Sequence, residues 1–175
     1  MLLRNMDATL YGIDFDRVER KNVKSQFHGK TSVGKLKVQG LKQTMNGLFG
    51  VKLDTCTNKV VADNVAQVLS NVDLVIDCLD NGDGRRVIQA FVREQGIACL
   101  HGALAADGGF GQVIWDEHFQ IDDEDSEGAA TCEDGEHLPF IAITAAFIAR
   151  AVQEYLVNDR KMGFQVNPGG AVRTH

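Results

Sequence analysis

No apolar run in this 175-residue chain approaches the length of a membrane span; the longest, Pro139 to Ala149, is far short of one. The opening Met1-Leu2-Leu3-Arg4-Asn5-Met6 is too brief for a secretory signal. A cytoplasmic location is therefore expected. No C-x-x-C pair occurs, and Cys56, Cys78, Cys99 and Cys132 are scattered, which argues against a structural zinc site. Cys78 and Cys99 read as buried filler in apolar strands. Internal repeats and low-complexity tracts are lacking as well. Lys and Arg are missing from one long stretch, Asp116 to Glu136, which holds ten of the 24 acids. Outside it the 18 Lys and Arg outnumber the remaining 14 acids, so an acidic loop interrupts a mildly basic domain. Its dense like charge and few large apolar side chains predict a long, exposed, poorly packed segment. The regular D-x-D-x-D-G ladder of a calcium loop is absent from it.

What remains is an ordinary globular balance, 44% hydrophobic and 24% charged, enough for one domain over 1–175 with a real core. Hydrophobic periodicity gives alternating strands and helices. Leu2 to Met6 reads as the tail of a helix and Ala8 to Ile13 as a strand. A polar connection follows to Val33. Gly34 to Leu48 fits a helix, with Val38, Leu41, Met45 and Leu48 on one face. Gly50 to Leu53 is a weak strand, Val60 to Leu69 a helix, Val72 to Cys78 a strand and Gly84 to Gln95 a helix. Ile97 to Leu104 and Phe110 to Trp115 are strands joined by the hairpin composition Asp107-Gly108-Gly109. Pro139 opens a long helix to Leu156. A terminal hairpin surrounds Asn167-Pro168-Gly169-Gly170. Strands alternating with helices argue an α/β, doubly wound, mostly parallel sheet, and the later hairpins an antiparallel C-terminal extension.

The chemistry-bearing stretch is Asp77-Cys78-Leu79-Asp80-Asn81, at the carboxyl end of an apolar strand, where open α/β sheets bind ligands. A carboxylate there can hold Mg²⁺ through one or two oxygens and leave other positions to water and phosphate. The same residues also serve as a helix N-cap. Asp14-Phe15-Asp16 ends an earlier strand, where an acid commonly takes ribose hydroxyls. Asn22, Gln26, Lys35 and Lys37 add amides and cations suited to phosphate.

The pattern Asp14-x-Asp16-x-Val18-x-x-x-Asn22-x-x-x-Gln26, then Gly34-x-x-Lys37, then Asp80-Asn81-x-x-x-Arg85, resembles the ThiF/MoeB/HesA-type adenylyltransferases, which are ubiquitin-activating-enzyme-like proteins. Thr131-Cys132 and Leu138-Pro139 before the long apolar helix are similar too. The resemblance implies a Rossmann-like fold and ATP-dependent adenylation of the C-terminal carboxylate of a ubiquitin-like or sulfur-carrier protein. It implies that Asp14 holds the ribose, Asn22 and Gln26 position phosphates, and Lys37 neutralises their charge. Asp80 would bind Mg²⁺, with Asn81 beside the nucleotide. Arg85 matches a family arginine. Cys132, on an acidic crossover loop over 116–138, would receive the activated carrier. Asp14, Asn22, Gln26, Lys37 and Asp80 are expected to converge on one cleft at the carboxyl ends of the strands. A homodimer is implied; no nucleic-acid or membrane partner is expected.

Two departures stand out. Ser25 occupies the place of a family arginine, with Lys24 next to it. The family's first strand, glycine-rich turn and helix have no counterpart; Gly108-Gly109-Phe110-Gly111 lies in a strand-to-strand turn instead. The chain therefore reads as an N-terminally truncated relative, expected to exchange little pyrophosphate into ATP until that unit is supplied. A catalytically inactive protein-binding or dimerisation module is the alternative. A nicotinamide- or S-adenosylmethionine-dependent enzyme ranks last, since it leaves Lys37 and Asp80-Asn81 without a role.

Overall fold

The structure, a computed structural model, describes residues 1–105, 107–121 and 137–174. It divides into two units, one of Met1–Lys59 and a second that begins at Val60 and includes Pro139–His175.

In the first unit β1 (Leu10–Ile13) pairs in parallel with β2 (Leu53–Cys56), Leu10 opposite Leu53 and Ile13 opposite Cys56. Between them come the single turn α1 (Asn22–Ser25), a 3₁₀ turn over Lys30–Ser32 and α2 (Lys37–Phe49). A parallel pair needs a crossover, and α2 supplies it. Val38 and Met45 of α2 are buried as its periodicity predicts, whereas Leu48 is two-thirds exposed. Residues 2–6 form turns, not the end of a helix. The second strand lies later than expected, because α2 runs on to Phe49 and closes on Gly50 in the left-handed region (φ 65°).

In the second unit a five-stranded sheet has the order β3 (Leu74–Asp77), β4 (Ala98–Leu104), β5 (Gly111–Trp115), β6 (Phe164–Asn167), β7 (Gly170–Arg173). β3 and β4 are parallel, connected by α4 (Gly82–Gln95); the remaining pairings are antiparallel, as the hairpin compositions predict. The helix expected from Val60 to Leu69 shrinks to α3 (Val65–Val68), with only Val65, Val68 and Leu69 buried from that run.

The long helix α5 (Leu138–Asn158) buries Phe140, Thr144, Ala151 and Val152. It is longer than the apolar run alone suggests and, by length and composition, could cross a membrane, which corrects the reading that nothing here approaches a span. Its Thr144 and Phe140 pack on Gly111, where a Cβ would stand 2.9 Å from Thr144 Oγ1 and 3.2 Å from Phe140. Gly102 of β4 is under the same constraint, its Cβ position only 2.6 Å from Ile148 Cδ1. These contacts pack one face of α5 on the sheet, and close approach is what requires glycine there. Leu100, Val113, Val152 and Val166 are wholly or almost wholly buried in this unit.

Candidate functional site

The first unit brings an acid and a lysine together through one loop. Val18 donates its N–H to Lys35 O at 2.8 Å and accepts from Gly34 N–H at 2.8 Å, clipping the chain after β1 to the chain before α2. Gly34 makes that clip with φ +86°, which a side chain would strain. The clip sets Asp16 beside the first residue of α2. Lys37 N–H bonds Asp16 O at 2.8 Å, and Lys37 Nζ donates to Asp16 Oδ2 at 2.9 Å. Asp14 stands at the end of β1, its Oδ1 accepting Asp16 N–H at 2.8 Å. Burial raises the Asp14 carboxyl above its ordinary value, against the lowering pull of the Asp16 amide and the Lys37 charge. His28 is held below its ordinary value, first by burial and then by Lys37, while Asp14 draws it up. Its Nδ1 is buried without a hydrogen-bond partner among the described residues.

Asn22 and Ser25 differ from their expected settings. Asn22 is 3% exposed and its Oδ1 accepts Glu19 N–H at 2.7 Å, so it shapes the turn into α1. Ser25 is buried, its hydroxyl donating to Lys21 O at 3.3 Å. A buried hydroxyl does not replace a guanidinium, and Lys24 beside it is exposed. Gln26 ends α1, its N–H on Asn22 O at 2.8 Å, and is half-buried.

In the second unit the five-residue stretch after β3 separates into distinct roles. Asn81 is the N-cap of α4, its Oδ1 accepting Gly84 N–H at 2.8 Å. Gly84 fits because a Cβ would lie 2.7 Å from Leu79 Cδ1 and 2.9 Å from that same Oδ1. Asp80 is exposed and makes no ion pair among the described residues. Asp77, by contrast, is 2% exposed. Arg85 Nη1 donates to Asp77 Oδ2 at 3.1 Å, and Arg85 Nη2 donates to Gly102 O at 3.0 Å and to Leu79 O. Arg85 therefore ties the strand end to β4.

A polar cluster that the sequence does not announce continues from there. His101 is fully buried, its Nδ1 2.8 Å from Asp77 Oδ2 and its Nε2 3.0 Å from Asp116 Oδ1. Asp116 was expected to begin an exposed acidic loop; instead it is buried in a 3₁₀ turn, Asp116–His118. Two polar residues four apart on α4 explain the difference. Arg93 Nε donates to Asp116 Oδ2 at 2.6 Å, and Gln89 Nε2 to Oδ1 at 2.8 Å. The rest of the acidic segment, 122–136, with Cys132 in it, lies outside the described residues.

Burial pushes the Asp116 carboxyl up, but hydrogen bonds from Arg93, Gln89 and His101 outweigh it and hold the group below the ordinary carboxylate value. A depressed folded pKa contributes stability that is fully present above the unfolded value, near pH 4, and is lost as pH falls through the folded one. Urea midpoints measured from pH 6 to pH 2 should therefore fall below about pH 4, and Asp116→Asn should flatten that acid limb. An unchanged limb in the variant would place the acid sensitivity elsewhere.

Cys99 Sγ lies 3.6 Å from His101 Nε2, which resembles a nucleophile–base pair. Burial, with Asp77 and Asp116 adding to it, pushes the thiol far up and disfavours the thiolate that nucleophilic attack needs. Cys78 is not the buried filler expected, since β3 stops at Asp77 and the residue is exposed. Its Sγ nonetheless faces Gly102, 3.4 Å from the Cβ position there, and local burial, then Asp77, push it up to about 11.

Among the described residues no group of three or more His, Cys, Asp or Glu could hold a metal. A single exposed carboxylate fits magnesium, which keeps its waters and takes phosphate oxygens as further ligands.

The ThiF family model matches residues 9–164. The chain belongs to the ThiF family. Its ThiF-family sequence is 32% identical over 94 residues to the SAMP-activating enzyme E1 of Haloferax volcanii, covering 53% of this chain and 35% of that protein. Among solved structures, E. coli MccB with ATP has a TM-score of 0.75 at 11% identity, covering 95% of this chain and 55% of that one. PaaA has a TM-score of 0.69 at 15% identity, covering 93% and 63%. These structures share the mixed α/β, Rossmann-like fold. The chain thus spans about a third of the curated relative, and under two thirds of the solved structures.

Proposed function

We propose that this chain forms the nucleotide-handling part of an adenylyltransferase that uses ATP to activate the C-terminal carboxylate of a ubiquitin-like protein, sulfur carrier or peptide. The observation that carries the reading is the family match over 9–164, with Asp14, Lys37 and Asp80 all inside it. Asp14, at a strand end, accepts the ribose hydroxyls. Lys37 meets phosphoryl oxygens as a point charge, held in place by Asp16. Asp80 would hold Mg²⁺ through its exposed carboxylate. Magnesium, when bound, screens the anionic triphosphate from an anionic nucleophile and stabilises charge on the phosphoryl oxygens. Asn22, from its buried position, acts through the turn it shapes. Gln26 and the N-cap Asn81 complete the nucleotide residues. In a second step the Cys132 thiolate attacks the acyl adenylate, the C–S bond of a thioester forms as the acyl–phosphate bond breaks, and AMP leaves.

Exchange of labelled pyrophosphate into ATP tests this, measured for the parent chain and for every variant with the family's first strand, glycine-rich turn and helix supplied. It should depend on a carrier or peptide ending in a free carboxylate and vanish when that end is a carboxamide, because the carboxylate is the nucleophile. Equal exchange with both tails would refute carboxylate activation. Ser25, buried at the place where the family resemblance implies an arginine, favours a second reading, a protein-binding module without adenylation. Carrier binding without any exchange would select it.

A further inference from the structure

The turn that carries Asp80 hangs from a buried polar chain that the proposed chemistry does not use. Asp77 Oδ1 accepts the Leu79 N–H at 2.9 Å, while its Oδ2 meets His101 Nδ1 at 2.8 Å. Across the ring, Nε2 reaches Asp116 Oδ1 at 3.0 Å. The ring thus bridges two carboxyl groups at hydrogen-bond distance, Nδ1 toward Asp77 and Nε2 toward Asp116, with the donor on each side set by the tautomer. The imidazole is stacked on Phe119, with ring centroids 4.0 Å apart and planes 17° from parallel. Its orientation is fixed at both ends and on one face.

A core need not be built this way. Apolar side chains of similar volume are often as stable as a buried ionic cluster, or more so. What the polar chain adds is direction. One arm of the ring leads to the base of the Asp80 turn and the other to Asp116, itself held by Arg93 and Gln89 of α4. We propose that His101 is a positioning residue for Asp80. Its Nδ1 bond to Oδ2 fixes Asp77, so that Asp77 keeps the Leu79 amide and the next carboxylate along the turn, Asp80, is presented in one place. The inference rests on Asp80 holding magnesium, as proposed above. Supporting groups behind a metal ligand commonly decide affinity.

Two substitutions separate the arms. His101→Asn keeps a donor near the Nδ1 position; His101→Gln keeps one near Nε2. Hydrogen exchange at the Leu79 amide, and the Mg²⁺ dependence of fluorescent ATP-analogue binding, are read on the whole chain. His101→Gln should speed the exchange and weaken apparent Mg²⁺ affinity, each by about tenfold or more. His101→Asn should change each by less than about twofold, because the Nδ1 arm is preserved. Equal shifts in the two variants, in either measurement, would overturn the proposal, since a merely structural ring gives no such contrast. Asp80→Ala is the control on the underlying reading. If it leaves Mg²⁺ dependence intact, the metal role of Asp80 fails, and the Leu79 exchange contrast still decides whether His101 tethers the turn. Should either His101 variant not fold, Asp77→Asn takes its place. Its amide can keep the Leu79 bond through one oxygen but loses the second acceptor. Turn exchange should rise as in His101→Gln; wild-type exchange would overturn the tether.

Discussion

Arg85→Ala is expected to lower stability by about 3–5 kcal/mol, the cost of leaving one member of a buried ion pair without its partner. Asp77 is 2% exposed, and its Oδ2 is shared between Arg85 Nη1 and His101 Nδ1. With the guanidinium gone, a buried carboxylate keeps only the Leu79 amide and the imidazole. Gly102 O and Leu79 O lose their donor at the same time. Acceptors left short of a donor place the loss toward the upper end of that range. The control is the double variant Asp77→Asn, Arg85→Met, which removes both charges and fills the volume. It should recover part of the loss, because a neutral pair escapes the desolvation penalty. Urea unfolding followed by the fluorescence of Trp115, which is buried in this unit, supplies the measurement. A loss under about 1 kcal/mol for Arg85→Ala would show that the pair is wet or rearranges, since exposed pairs are worth only that much.

That cluster also marks the boundary of what the sequence reveals. Helix α4 is legible because Val87, Ile88, Phe91 and Val92 recur at helical spacing, and Ile88 and Val92 are indeed buried. The β4–β5 hairpin and the β6–β7 hairpin are legible from their turn residues, a local code. Burial of charge has no comparable code. His101 sits inside the apolar run Ala98–Leu104, where alternation gives no hint that it faces two carboxylates. Asp116 belongs by composition to the acidic segment, and single-sign composition argues exposure. Gln89 and Arg93, four apart on α4, share a face, but polar residues at that spacing are ordinary on a solvated helix face and do not point to Asp116. Short elements fail for another reason. Val61 and Val65 have helical spacing, yet Val61 is 40% exposed and the helix starts only at Val65, because tertiary packing overrides propensity over so few residues. The candidate site divides similarly. Strand ends fix Asp14 and Asp80, and a strand end is predictable. The pairing of Lys37 with Asp16 depends on a loop folded back through Val18 and Gly34, which no periodicity foretells.

Lys37→Ala carries the largest expected effect on activity. Removing one preorganised group that stabilises developing charge typically costs about 10²–10³ in rate, or roughly 2.7–4 kcal/mol. Lys37 is well placed for such a role, since its side chain is only 18% exposed and its ammonium is already oriented by Asp16. A pre-oriented cation needs no reorganisation when phosphoryl charge develops. Pyrophosphate exchange in Lys37→Ala should fall by that factor, chiefly in kcat rather than in KM for ATP, if the lysine acts on the transition state rather than on ground-state binding. Lys37→Arg should recover little, because a planar fork does not reproduce a compact point charge in a half-buried slot. Asp16→Asn tests the positioning half of the argument. It keeps a carbonyl oxygen for the lysine but withdraws the charge, so exchange should fall by less than in Lys37→Ala. If Asp16→Asn is as damaging as Lys37→Ala, the aspartate itself handles substrate. If Lys37→Ala stays within about threefold of the parent, well short of what loss of a charge-stabilising group produces, the phosphates are neutralised elsewhere and the role given to this lysine is wrong.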